Sequence, residues 1–261
     1  MAAGLASVPW DPGQYLAFSQ ERLRPALDLL NRVPLEAPTT ILDLGCGPGN
    51  VSRLLAERWP AATLTGVDSS PEMLRAARAV LPEADWVEAD LRTWTPQDPV
   101  DLVFSNAALH WLEDHPAQFP RMASWVKPGG FLAVQMPASH AFPCHTAAFD
   151  LAGRAPWKGL LDPPPRFPPV HGLADYHRWL APGARTLDLW ETTYLHDLEG
   201  DDPVTEWFKG SLLVPYLEAL PEPHRDAFVL AYRRIVQEAY PSNAGGRTLM
   251  PFRRMFLVCG F

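Results

Sequence analysis

A doubly wound parallel α/β sheet is the fold class this sequence predicts. Three observations carry the prediction. Short apolar runs alternate with segments of helical period through the first half of the chain. A glycine-rich stretch, LDLGCGPGN, joins the first run to the first helical segment. An acid, Asp68, ends the second run roughly 20 residues further on. Such alternation requires right-handed crossovers that bury strands on both faces.

The elements follow in order. Ile41 to Gly45 is an apolar run of the length of a buried strand, and Val51, Leu54, Leu55 and Trp59 then mark one helix face that Pro60 ends. TLTGVD is the second strand. Ser70 caps the next helix, with Pro71 in its first turn and Met73, Leu74, Ala77 and Leu81 on its apolar face. Asp85 to Ala89, DLVFSN and GGFLAVQM read as strands three to five, with a helix over roughly Pro116 to Val126. The second half is different. Prolines 163, 164, 165, 168 and 169 stiffen an irregular connection, Ala184 to His196 alternates as a strand, and helical stretches run near Pro203 to Leu220 and Pro223 to Ala239. MPFRRMFLVCGF is the last strand. No linker isolates the helices, so a single domain over residues 1–261 is expected, with a helical lid near 199–247 and an N-terminal cap segment over about 8–33.

Composition narrows the function. A net charge of −8 argues against nucleic acid or an anionic membrane as partner, though screening over about 8 Å leaves room for a local anion site. The start MAAGLASVPW has no basic region followed by a long apolar run, and no run of about 18 apolar residues exists to span a membrane. The 3 cysteines, Cys46, Cys144 and Cys259, have no metal-ligand spacing, so no metal is expected, and their odd number fits a reduced, cytoplasmic protein.

The chemistry begins at the glycine loop. Gly45, Gly47 and Gly49 permit a tight turn and close backbone approach to a ligand at the carboxyl edge of the sheet, and Asp68 stands where an acid accepts both hydroxyls of a ribose. The spacing is G-x-G-x-G rather than the G-x-G-x-x-G of dinucleotide sites, with Asp43 two residues before it. This combination resembles the class I S-adenosylmethionine (SAM)-dependent methyltransferases, whose fold is Rossmann-like. The resemblance implies that the loop packs on the methionine part of SAM, with Ser69 also among the cofactor-binding residues. It implies that Asp90 in EADLRTW and the Leu91 amide serve the adenine, that Met73 covers it, and that Asn106 in SNAALHW binds the amino-acid end. His110 and Trp111 would then face the transferred methyl.

A closer resemblance runs from about Trp10 to Val258. WDPGQYLAFSQERLRPALDLL, LGCGPGN, GVDSSPEML, VEADLRTW, LAVQMP, ETTYLH and FRRMFLV are similar to the trans-aconitate 2-methyltransferase family. His110 is a departure, because that family most often carries glutamine there. The resemblance implies esterification of one carboxylate of a tricarboxylic acid, with SAM as cofactor and S-adenosylhomocysteine as product. A carboxylate is already a nucleophile at neutral pH, so no catalytic base, thiolate or metal is required. It implies too an antiparallel last strand beside the fifth, whose beginning lies at the ligand edge. Arg254 there would grip a carboxylate, while Arg253 points to the opposite face. Arg24 and Tyr15 of the N-terminal segment and Tyr194 at the end of the sixth strand complete the implied substrate set, Arg24 serving either SAM or substrate. A monomer binding a small polycarboxylate is expected. Three other readings compete: a malonyl-carrier-protein carboxyl methyltransferase, a nucleotide-dependent dehydrogenase, and a SAM-binding regulator without turnover.

Overall fold

The computed structural model describes residues 19–165 and 168–261; Tyr15 lies outside them. Helix α1 (Ser19–Arg32) precedes strand β1 (Thr40–Leu44), and then come α2 (Asn50–Arg58), β2 (Thr63–Asp68), α3 (Pro71–Val80), β3 (Asp85–Glu88) and β4 (Val100–Asn106). A 3₁₀ turn (Leu109–Trp111), α4 (His115–Ala123) and β5 (Val126–Pro137) follow. The remainder is α5 (Pro143–Ala152), α6 (Leu173–Leu180), β6 (Thr186–Glu199), α7 (Pro203–Lys209), α8 (Val214–Ala219), α9 (His224–Ala239) and β7 (Arg247–Gly260). The strands form one sheet in the order β3-β2-β1-β4-β5-β7-β6. β1 to β5 pair in parallel, and β7 is antiparallel to β5 from Phe131↔Gly260 to Pro137↔Arg254. The order reverses between β1 and β4, the crevice where doubly wound sheets hold ligands.

The chain divides into two compact units. The first takes residues 19–137, 168–192 and 254–261. Its central strands are apolar on both faces: Leu42, Leu44, Val67, Leu102, Val103, Phe104, Leu132, Val134 and Met136 are all buried. Burial on both faces explains why these strands read as continuous apolar runs. The second unit holds residues 138–165 and 193–253 among those described and has its own core, with Trp157, Trp207, Phe208, Tyr216, Phe228 and Tyr232 at its centre. The aromatic polar atoms there are satisfied: Tyr232 Oη donates to the Cys144 carbonyl at 2.6 Å, and Trp157 Nε1 to the His224 carbonyl at 3.2 Å. The 199–247 segment belongs to this unit.

Several boundaries differ from the sequence reading. The single helical stretch over 203–220 is two helices, α7 and α8, parted at Gly210 and restarted with Pro215 in its first turn. β7 begins at Arg247 rather than Met250, and β5 at Val126. Helices α5 and α6 were not foreseen.

Candidate functional site

The glycine loop is shaped by backbone bonds to the tip of β2. Gly45 and Cys46 N–H groups both donate to the Val67 carbonyl, at 2.7 and 3.2 Å, while Gly49 N–H returns to the Cys46 carbonyl at 3.2 Å. Gly45, Gly47 and Gly49 have φ of 68°, 54° and 82°, the left-handed region that glycine enters without strain. Gly45 is further constrained, since a Cβ there would collide with the Ala108 Cβ, whereas a Cβ on Gly47 would meet nothing. The close packing on Gly45 brings the turn after β4 against the loop.

Asp68 sits at the end of β2 with each carboxylate oxygen fixed. Oδ2 accepts from Gly47 N–H and Oδ1 from Ser70 N–H, both at 2.9 Å. A carboxylate oriented in this way retains lone pairs for further donors. Behind the loop, Asp43 is buried and accepts from the Ser52 hydroxyl at 2.6 Å. Burial pushes its carboxyl up to about 7, against the pull of the Ser52 hydrogen bond, and the neighbouring charge of Asp68 adds to the rise. Met73 is buried on α3, its N–H capped by Ser70 Oγ at 3.3 Å, and Ser69 is exposed.

After β4 the chain bends sharply. Ala107 has φ 54°, an uncommon conformation for a residue with a side chain. The turn is held from behind by His115, whose Nε2 faces the Leu109 carbonyl at 3.0 Å and whose Nδ1 faces Tyr176 Oη at 2.7 Å. Since the carbonyl can only accept, Nε2 carries the proton and Nδ1 accepts from the tyrosine. Burial holds this imidazole below its ordinary pKa, consistent with the neutral tautomer. The strained turn fixes Asn106, His110 and Trp111 together; His110 is buried and its ring centroid lies 4.8 Å from that of Trp111.

Asp90 and Leu91 occupy the turn after β3. The Asp90 carboxylate is engaged by Arg92, with Nε at 3.0 and 2.8 Å from its two oxygens and Nη2 at 2.5 Å. That pairing, chiefly the Arg92 hydrogen bond, holds the carboxyl below its ordinary range. Leu91 is buried, and its carbonyl accepts from Arg121.

The two terminal arginines part company. Arg253 belongs to the second unit, where its Nε donates to the Ala138 carbonyl at 3.0 Å and its guanidinium lies 5.7 Å from the Phe142 ring centroid. Its N–H donates to Ser139 Oγ at 2.8 Å. Arg254, in the first unit, is 6% exposed and pairs with Pro137 at the carboxyl end of β5. Directly opposed residues of an antiparallel pair share a face, as do registered residues of neighbouring parallel strands. Asn106 and Gln135, which are in register, therefore lie on the face of Arg254. Arg24 is exposed on α1. Tyr194 is buried in the second unit and stacks toward His196, which lies 5.0 Å from Trp207. No cluster of metal-ligating side chains exists among the described residues.

Sequence reasoning passed over Gln135 and the Ala107 strain. Gln135 is fully buried, and neither Oε1 nor Nε2 has a hydrogen-bond partner among the described residues; the same holds for Asn106 Oδ1. The signal available was one polar residue inside the apolar run LAVQMP.

Glycine loop, anchored acid and the antiparallel strand beside β5 together define a methyltransferase. Residues 41–130 match the family described as "Methyltransferase domain". Among solved structures the YcgJ protein from Bacillus subtilis matches with a TM-score of 0.59 and 13% identity, covering 90% of this chain and 97% of that one. A Haemonchus contortus phosphoethanolamine N-methyltransferase 2 bound to S-adenosyl-L-methionine matches at 0.53 and 17% over 90% of this chain and 52% of that one. These show the shared fold. Trans-aconitate 2-methyltransferase of Azoarcus sp. is 47% identical over 95% of this chain and 98% of its own length. That of Streptomyces avermitilis is 48% identical over 97% of each, and that of Escherichia coli 42% over 95% and 97%. The chain belongs to the trans-aconitate 2-methyltransferase family.

Proposed function

We propose that this protein uses SAM to esterify one carboxylate of trans-aconitate or a similar polycarboxylic acid. The single observation that carries the reading is the near-complete match to trans-aconitate 2-methyltransferases, with Arg254 buried at the ligand edge of the sheet as a counter-charge for an anion. The cofactor fits the residues present. Asp68 offers oriented acceptors for ribose hydroxyls, Gly47 leaves open space for close approach, and Asn106 Oδ1, unmet among the described residues, is an acceptor suited to an ammonium. When bound, SAM supplies a sulfonium methyl group that a carboxylate oxygen accepts, with the C–S electron pair remaining on sulfur. The chain's own part is then positioning. It holds the anion beside the turn after β4, and buried walls exclude water. Ser69, Met73 and the Leu91 amide complete the cofactor set, while Asp90 serves adenine only by sharing an oxygen with Arg92 or releasing it. Arg24, Tyr15, Tyr194, His110 and Trp111 are assigned to the substrate side, with no residue acting as general base. We take the protein to be a cytoplasmic monomer with no nucleic-acid or membrane partner; no helix among the described residues is long and apolar enough to cross a membrane.

The test is transfer of radiolabelled methyl from SAM across di- and tricarboxylic acids and malonyl-carrier protein, with mass analysis of the product. Trans-aconitate monoester formation is expected to exceed that of any dicarboxylate. Transfer to the carrier protein alone would replace this reading.

A further inference from the structure

Gln135 has no structural explanation among the described residues. It is 0% exposed near the carboxyl end of β5, and neither end of its amide is bonded among the described residues. Leaving a buried amide unmet is destabilising, and an apolar residue of the same shape would avoid that cost. Its register neighbour on β4, Asn106, adds a second unmet acceptor one strand spacing away, about 4.8 Å. Gln135 Nε2 and Asn106 Oδ1 are donor and acceptor on adjacent strands, yet they do not satisfy one another. On the other side, β7 sets Phe256 opposite Gln135 and Arg254 two residues before it, on the same face and roughly 7 Å away on the diagonal. The amide thus stands between a cation and a lone acceptor, at the carboxyl edge of the parallel strands.

We propose that Gln135 is a bridging amide between cofactor and substrate, an inference that rests on the reaction proposed above. Its Oε1, with Asn106 Oδ1, accepts from the ammonium of the cofactor's methionine end. Its Nε2 donates to a substrate carboxylate whose charge Arg254 balances. The polarity of the site selects this arrangement. Two adjacent carbonyl oxygens suit a cation with several N–H donors, while an NH₂ beside a guanidinium suits a carboxylate. One side chain then orders both reactants on one face of the sheet, and a bound cofactor fixes the amide in the rotation that receives the acid.

The test uses Gln135→Met, of similar length but without polar atoms, and Gln135→Glu, which keeps the acceptor and loses the donor. Melting temperature without ligand, affinity for SAM and for S-adenosylhomocysteine by calorimetry, and KM and kcat for trans-aconitate are measured at pH 8. For Gln135→Met, an unchanged or higher melting temperature is expected, with SAM affinity about tenfold weaker and kcat/KM down at least a hundredfold, the range of lost hydrogen bonds to charged groups. Gln135→Glu is expected to hold SAM within about threefold of wild type while KM for trans-aconitate rises more than tenfold, since an anion now faces the acid. SAM affinity and kcat/KM within twofold of wild type in Gln135→Met would overturn the proposal. So would a marked fall in its ligand-free melting temperature accompanied by parallel losses, because that describes a packing residue. An unchanged KM in Gln135→Glu would overturn the substrate half alone. If wild type esterifies no polycarboxylate, the reaction assignment fails, and the cofactor affinities still decide whether Gln135 Oε1 meets the ammonium.

Discussion

Gly47 N–H donates to Asp68 Oδ2 at 2.9 Å, so the acid at the tip of β2 holds the glycine loop in addition to the ribose role proposed for it. The two roles depend on the same carboxylate. Asp68→Ala removes the ribose acceptors and frees the loop. SAM affinity should fall by roughly 1.5–3 kcal/mol for each charge-assisted bond lost. Asp68→Asn keeps one acceptor and should fall less. Calorimetry with SAM on folded protein makes the comparison, and unchanged affinity in Asp68→Ala would remove Asp68 from the cofactor site.

The loop glycines separate folding from binding. Gly45→Ala forces a side chain into positive φ and against Ala108, so a stability loss well above 1 kcal/mol is expected. Gly47→Ala meets no protein atom and should cost only about 1 kcal/mol of stability, while its methyl intrudes where the ligand backbone approach is needed. Denaturant unfolding with SAM titration distinguishes the two. Equal stability losses would contradict the packing of Gly45 on the turn after β4.

Asp43 gives a pH signature. Its folded-state pKa, raised to about 7 mainly by burial, exceeds that of an unfolded aspartate near 3.9. The native state therefore binds more protons between these values. The stabilising contribution of the protonated carboxyl is complete below about pH 3.9 and is lost as pH rises through about 7, on the order of 4 kcal/mol at most. Subtracting the pH–stability curve of Asp43→Asn from that of wild type should isolate a slope in this window that flattens above it. A flat difference curve would mean that Asp43 is already charged in the fold.

Much of the fold was legible because buried parallel strands advertise themselves as apolar runs. ILDLG, TLTGVD and DLVFSN all lie in the sheet, and the last strand is antiparallel beside β5. Other features depend on contacts far apart in sequence. The division into two units crosses the chain several times, so no linker marks it. Asp90 differs in kind, since the partner that engages it, Arg92, is only two residues away. Helix α6 matters because Tyr176 reaches His115, a pairing 61 residues apart that no local pattern announces. Gln135 sits inside a run that reads simply as a strand; only the lack of partners among the described residues marks it as unusual.

The most direct test of the account is the pair of arginines at the start of the last strand. Arg254 lies on the face of Asn106 and Gln135, whereas Arg253 is tied to Ala138, Ser139 and Phe142. The measurement is kcat/KM for trans-aconitate in Arg254→Ala and Arg253→Ala, with SAM affinity determined alongside. Arg254→Ala should lose roughly 2–5 kcal/mol of transition-state binding with SAM affinity nearly unchanged, and Arg254→Lys should recover only part of it, because an ammonium cannot make the planar two-bond grip. Arg253→Ala should mainly lower stability, by about 1–2 kcal/mol. A crippled Arg253→Ala beside a nearly wild-type Arg254→Ala would contradict the account.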